Sequence, residues 1–290
     1  WKKRLKELNF KRPGRHPLRS TFPNIQRSLV AAGDRLFFSP GTEAPVFVLD
    51  AASGKKVRTI EGTETAEELV FDDGRLYVGL ACGGIAALDP ESGKMLWKHA
   101  DKSYVGLSMA VSGGRLVYHN KKKLVCLNAA GGEKLWETEA AGGGRYSWSS
   151  GPAVMISHGK VVIQGRKTEV RDLTDGRKLW SAQVRGRSLR PVDTFVIKEL
   201  LWRAQGNNVA GFDLKTGEVV KTVDPRSVQS EGHHLRCFRA KATERYIISQ
   251  FRGNEFLGVK GDPHCQADWT RGACRFGVLP ANGMLYVPPH

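Results

Sequence analysis

One turn recurs along this chain at a nearly fixed interval, and that recurrence restricts the fold more than any other feature. Five segments carry an acid or Asn followed by Gly four positions later: Asp50 with Gly54, Asp89 with Gly93, Asn128 with Gly132, Asp172 with Gly176 and Asp213 with Gly217. Successive copies start 39, 39, 44 and 41 residues apart. Three copies place Trp four residues beyond the Gly, as Trp97, Trp136 and Trp180, where the first and last have Arg58 and Lys221. A second marker falls between the copies: a turn followed by an apolar run, beginning at Gly33, Asp73, Gly113, His158, Leu200, Thr243 and Asn282. The acid or Asn caps a tight turn through its side-chain oxygen, and the Gly takes a conformation that a Cβ penalises. The runs alternate or are continuously apolar, as strands are. A period of about 40 residues holding several short strands is the mark of a propeller blade. A single blade cannot bury both faces, so blades must stack on one another.

The expected fold is therefore all-β: a β-propeller of four-stranded antiparallel blades, seven or eight in a full ring. No 3.6-residue apolar period of useful length is present, which excludes helical repeats and doubly wound α/β folds. The 33 Gly residues agree with many turns. The expectation is one propeller domain over 1–290, with a basic incoming segment at 1–30, regular repeats over 31–228 and diverged His/Cys-rich blades over 229–290. Trp1 followed by Lys2 and Lys3 reads as the tail of a further repeat, and residues 282–290 as the opening of another. A fragment of a longer ring is thus expected.

The formal net charge is +16, and Lys2, Lys3, Arg4, Lys6, Lys11, Arg12, Arg15 and Arg19 crowd the start against Glu7 alone. Such a run suits an anionic partner, but aromatics interleaved for base stacking are lacking and no nucleic-acid module is recognisable. No stretch reaches the roughly 18 consecutive apolar residues of a membrane helix. The five cysteines, Cys82, Cys126, Cys237, Cys265 and Cys274, form neither a full disulfide framework nor an evident zinc set. Cys82 and Cys126 read as buried small hydrophobes. His16, His99, His119 and His158 read as surface or turn residues.

The segment from Ala87 through Asp89 and Gly93 to Trp97 resembles the tryptophan-docking signature of the pyrroloquinoline-quinone-like (quinoprotein-type) β-propeller family. Cys126 to Trp136 follows the signature with Cys for the first Ala, and Asp172 to Trp180 follows it less fully. The resemblance implies that Trp97, Trp136 and Trp180 are structural, buried flat between neighbouring blades. It also raises quinone chemistry. Quinoprotein dehydrogenases of the family hold the quinone with a disulfide between adjacent cysteines and a calcium, whereas this chain has no Cys-Cys pair. Quinone as a cofactor is accordingly disfavoured. The same repeats build non-enzymatic propellers, an outer-membrane assembly lipoprotein among them, so fold alone does not give function.

Residues 229–290 break the pattern. Gly232, His233, His234, Arg236 and Cys237 are followed by Arg239 and Lys241; His264 and Cys265 by Trp269, Arg271 and Cys274. This stretch resembles the C-terminal part of a group of bacterial propellers with GHHxRC and RGxCxxGxxPxNGxLYxPPH motifs, a resemblance that supplies no reaction. Imidazole and thiolate suit a transition metal, and the candidate ligands are His233, His234, Cys237, His264 and Cys265. Adjacent side chains on a strand point to opposite faces, so only one of His233 and His234 fits a single ion. Arg236, Arg239, Lys241 and Arg271 are the candidate clamp for a small anionic ligand. Cys265 and Cys274 are also compatible with a loop disulfide or with free thiols. A Gly/Ser-rich loop with Arg145, Tyr146 and Trp148, and the acids Glu61, Glu64, Glu67 and Glu68, are weaker candidates.

Three functions stand open. The first is an exported, periplasmic binding or scaffold propeller with a protein partner or small anionic ligand. The second is a metal-dependent or redox enzyme built on the His/Cys-rich stretch. The third is a quinone-dependent dehydrogenase. No catalytic residue is assigned.

Overall fold

The computed structural model describes residues 29–40, 44–81, 83–140, 153–164, 167–183, 185–186, 189, 193–229, 235, 238–273 and 277–288. Every regular element among them is a strand. The first sheet holds β1 (Leu29–Ala32), β2 (Arg35–Phe38), β3 (Val46–Asp50) and β4 (Lys56–Ile60) in sequence order. The second holds β5 (Ala66–Asp72), β6 (Arg75–Leu80), β7 (Gly84–Leu88) and β8 (Met95–His99). The third holds β9 (Ala110–Ser112), β10 (Arg115–Asn120), β11 (Lys123–Asn128) and β12 (Lys134–Glu139). The fourth holds β13 (Ala153–Ser157), β14 (Lys160–Gln164), β15 (Lys167–Asp172) and β16 (Lys178–Gln183). In the fifth, β17 (Arg185–Gly186) adds in parallel to β19 (Leu200–Gly206), beside β18 (Phe195–Ile197), β20 (Asn208–Asp213) and β21 (Val219–Val223). The sixth holds β22 (Lys241–Ala242), β23 (Tyr246–Ser249), β24 (Asn254–Gly258) and β25 (Cys265–Ala267). A two-stranded sheet of β26 (Leu279–Ala281) and β27 (Met284–Tyr286) follows. These meanders of four are propeller blades. The chain divides into two compact units, one of residues 1–156 and 173–177, the other of residues 157–172 and 178–290.

All seven turn-plus-run markers prove to be the entry to a sheet's second strand, from β2 to β27. Several of these entries are two-residue hairpins with both residues at positive φ: Asp73 (44°) and Gly74 (71°), His158 (48°) and Gly159 (66°), Asn282 (52°) and Gly283 (71°). That conformation matches the right-handed twist of the strands it joins and explains the Gly in each second position. The acid-to-Gly turn joins the third strand to the fourth. In it Asp89 Oδ1 accepts from the Ser92 amide (2.6 Å) and hydroxyl (2.7 Å), and the Gly93 amide donates to the Asp89 carbonyl at 2.8 Å. A bulge precedes each turn at the same register, for instance between Ala87 and Leu88 and between Cys126 and Leu127.

In the three copies that carry it, the Trp after the turn docks on the turn of the next sheet. Trp97 Nε1 donates to the Ala129 carbonyl at 3.1 Å, Trp136 Nε1 to Leu173 at 3.0 Å and Trp180 Nε1 to Leu214 at 3.1 Å. Each acceptor is the residue immediately after the capping Asn or Asp. The indole lies flat on the turn's Gly: a Cβ on Gly132 would come within 2.7 Å of the Trp97 ring, on Gly176 within 2.7 Å of Trp136 and on Gly217 within 2.6 Å of Trp180. Gly is therefore required twice over, for its positive φ and for the close approach. The two non-aromatic copies occupy the same place. The Arg58 Cδ lies 3.6 Å from where a Gly93 Cβ would be, and Lys221 Nζ donates to the Val259 carbonyl at 2.7 Å. Burial of the three Trp residues is only partial, contrary to expectation. They sit on the outermost strand of each sheet, so one ring face covers the glycine turn while the opposite edge meets solvent. His119 departs from its expected surface position, being buried at 1% exposure in β10.

Two outcomes follow. Complete burial of Trp is worth about 3–5 kcal/mol on truncation; at half burial Trp97→Ala should cost about 2–3 kcal/mol in equilibrium denaturation, and Gly132→Ala should be destabilising through both strain and clash. The turn carboxylates titrate below their ordinary range: Asp50 and Asp89 are stabilised as anions first by Ser53 and Ser92, and Asp213 by the Thr216 and Lys215 amides. A pKa depressed in the folded state gives stability that is present above the unfolded value and lost as pH falls through the folded one. Melting temperature should therefore hold from neutrality to about pH 5 and fall below about pH 4, and a triple Asp50→Asn, Asp89→Asn, Asp213→Asn variant should show a flatter acid limb.

Candidate functional site

Of the residues singled out from the sequence, Arg239 and Lys241 are both described, and the structure brings Asp193 beside Arg239. Phe238 and Ala240 are buried, Ala240 in the apolar cluster with Trp202, Ile247 and Leu257, so the alternating Arg239 and Lys241 lie on the other side of this segment. Lys241 opens β22 and pairs with Ile248. Asp193 and Thr194, both buried, lead into β18. Arg239 Nε lies 3.5 Å from Asp193 Oδ1, with side-chain exposures of 29% and 3%. Burial lowers the Lys241 pKa most, the Arg239 charge lowers it further, and Asp193 offsets part of this. No hydrogen bond or ion pair reaches Lys241 Nζ among the described residues.

The other members of the expected anion clamp are Arg271 and Arg236. Arg271 is exposed beyond β25, and Arg236 lies outside the described residues. Of the candidate metal ligands, His233, His234 and Cys237 also lie outside them, as does Cys274. His264 and Cys265 are described, and each has a different setting. His264 Nδ1 accepts from the Gly258 amide at 3.1 Å and Nε2 faces the Asp224 carbonyl at 3.1 Å. That is the neutral tautomer with both nitrogens used, so His264 ties β24 to the end of β21 and has no lone pair left for a metal. Asp224 itself is held at about 2, first by its hydrogen bond from Arg226. Cys265 is exposed and free. Its register is informative: Cys265 opposes Phe256 as Trp136 opposes Cys126 and Trp97 opposes Ala87, so Cys265 stands where the other sheets carry the docking residue. No three His, Cys, Asp or Glu come together among the described residues.

Elsewhere, Cys126 is buried as expected and burial raises its thiol pKa, while Cys82 lies outside the described residues. The loop with Arg145, Tyr146 and Trp148 lies outside them too. Glu68 is fully buried, accepting from the Tyr104 hydroxyl at 2.6 Å and the Met109 amide at 3.2 Å, and burial raises the pKa of neighbouring Glu67. Glu255 went unflagged. Its buried carboxylate takes the amides of Phe251 (2.7 Å), Arg252 (2.7 Å) and Gly253 (2.9 Å) and the Ser249 hydroxyl (3.1 Å). The available signal was an acid in the middle of an apolar strand just after an Arg-Gly turn, which calls for satisfied partners.

The profile of the family described as outer membrane protein assembly factor BamB, a family of pyrroloquinoline-quinone-like repeats, matches residues 1–107 and 81–237. The chain belongs to that family. One relative, the outer membrane protein assembly factor BamB of Nitrosomonas eutropha (strain DSM 101675 / C91 / Nm57), is 29% identical over 160 residues, which are 52% of this chain and 37% of that protein. The match thus spans little more than a third of this relative's length. Among solved structures, BamB from Moraxella catarrhalis superposes with a TM-score of 0.59 at 15% identity, over 83% of this chain and 75% of the other. The computationally designed Ika8 protein gives 0.61 at 16% identity, over 80% and 70%. A quinohemoprotein alcohol dehydrogenase, ADHIIG from Pseudomonas putida HK5, gives 0.53 at 11% identity, over 79% and 51%. At these identities the structural likeness establishes the propeller fold alone, which BamB shares with the dehydrogenase.

The settings of the two described thiols predict their chemistry, since reactivity follows exposure and thiolate fraction. Peptide mapping after brief iodoacetamide treatment should show Cys265 alkylated in the native protein and Cys126 alkylated only after unfolding.

Proposed function

We propose that this chain is part of an exported, periplasmic propeller that acts as a binding and scaffold module in outer-membrane protein assembly. The observation that carries this reading is the match of the BamB family profile across residues 1–237. The surface is consistent with protein partners. In the first unit β4, β8 and β12 hold Val57, Leu96 and Leu135 in solvent, each one residue before the docking position, and in the second unit β21 does the same with Val220. Apolar side chains held at one register of a strand, rather than scattered, suit contact with another polypeptide. No helix among the described residues is long and apolar enough to cross a membrane. The metal-enzyme reading draws no support from His264, whose nitrogens are already committed.

The test is made in the source bacterium with the whole gene product. Fractionation should place the protein in the periplasm or at the outer membrane, and its deletion should lower the abundance of outer-membrane β-barrel proteins. A photo-crosslinker at Leu96 or Leu135 should capture components of the assembly machinery. A cytoplasmic location with an unchanged outer membrane would overturn the proposal.

A further inference from the structure

We infer that the last part of the second unit is a contact surface for an anionic lipid bilayer, with Trp269 as the side chain that enters the headgroup layer. This contact is separate from the edge-strand surface proposed for protein partners and does not depend on it. Trp269 is 97% exposed, and both of its neighbours are pinned. Asp268 Oδ2 accepts from Gln266 Nε2 at 3.0 Å and lies 3.6 Å from Arg252 Nε. Thr270 accepts through its carbonyl (3.0 Å) and its hydroxyl (2.9 Å) from Nδ2 of Asn254, which is fully buried. The turn therefore holds the indole out in water instead of letting it fold back onto the sheet. Backbone contact links this turn to the ribbon of β26 and β27. Ala273 bridges to Gly277, and a Cβ on Gly272 would come within 2.6 Å of the Gly277 carbonyl carbon. In the ribbon Leu279 opposes Tyr286 and Ala281 opposes Met284, so these four side chains share one face. On that face Leu279, Met284 and Tyr286 are 59%, 57% and 44% exposed. From Trp269 to His290 the sequence has Arg271 and Arg275 and no Asp or Glu. Exposed Trp, Tyr and aliphatic side chains accompanied by cations alone suit the membrane interface, where the rings lie at headgroup level and the cations meet acidic lipids. A stretch of one sign calls for a surface of the opposite sign, which a bilayer rich in acidic lipid presents over its whole area.

The experiment uses the intact chain and cosedimentation with two kinds of vesicle. One is phosphatidylethanolamine with about one-quarter phosphatidylglycerol, the other phosphatidylcholine alone. Saturable, salt-sensitive association is expected with the first and none with the second. Trp269→Ala should weaken it about tenfold and Trp269→Tyr much less, since Tyr keeps an interfacial ring. Leu29→Ala, at an exposed residue of the first unit, should leave it unchanged. Because Trp269 is almost fully exposed, its variants should melt as the parent does. A second readout is spectroscopic: the emission lost in Trp269→Phe should shift to the blue on anionic vesicles and be quenched by brominated lipid. Absence of association with anionic vesicles would overturn the inference. Equal association of the parent and Trp269→Ala would overturn it too, by placing the binding elsewhere on this basic chain. Crosslinking of a protein to a photoreactive residue at position 269, without vesicle association, would assign the surface to a protein partner instead.

Discussion

The contact on which the rest depends is an indole laid across a glycine. The second, third and fourth sheets each end in a strand whose Trp reaches the third-to-fourth-strand turn of its successor, donating one hydrogen bond to a carbonyl and covering a positive-φ Gly. Sheets of four strands have two faces to bury, and the chain segments that connect them do not by themselves fix how they pack. The docking contact supplies a directional link between them, and it recurs at one register.

The chemistry of that link is broader than the aromatic signature suggests. Lys221 makes the same bond to the next sheet with an ammonium in place of an indole N–H. Arg58 rests its aliphatic stem near Gly93. Only the donor at the tip and an apolar body are common to the three residue types, as expected for long amphipathic side chains that bury their stems. In the sixth sheet the position falls to Cys265, which is too short to reach across and stands exposed.

This variation explains what could and could not be read from the sequence. The period, the turn chemistry and the identity of the second strands are local, set by residues within about five positions of one another, and they were legible down to individual hairpins. The sixth sheet was legible only through Tyr246 to Ser249, because Cys265 stands at its docking position and its acid-to-Gly turn has diverged around Gly258 and Gly261. The partial burial of Trp97, Trp136 and Trp180 follows from their being on edge strands, a property of topology. The setting of Arg239 and Lys241 was half legible: their common side follows from alternation, whereas Asp193 arrives from 46 residues upstream and carries no motif. His264 shows the opposite case. Its residue type suggested a metal, and only the positions of the Gly258 amide and the Asp224 carbonyl reveal a neutral bridge.

The most direct test of the docking account is native-state hydrogen exchange on Trp180→Ala. If the indole holds the following turn, the amides of Lys215 to Glu218 exchange markedly faster in the variant, while those of β10 and β11 keep their protection. Unchanged exchange at Lys215 to Glu218, in a variant that is nevertheless folded, would contradict it.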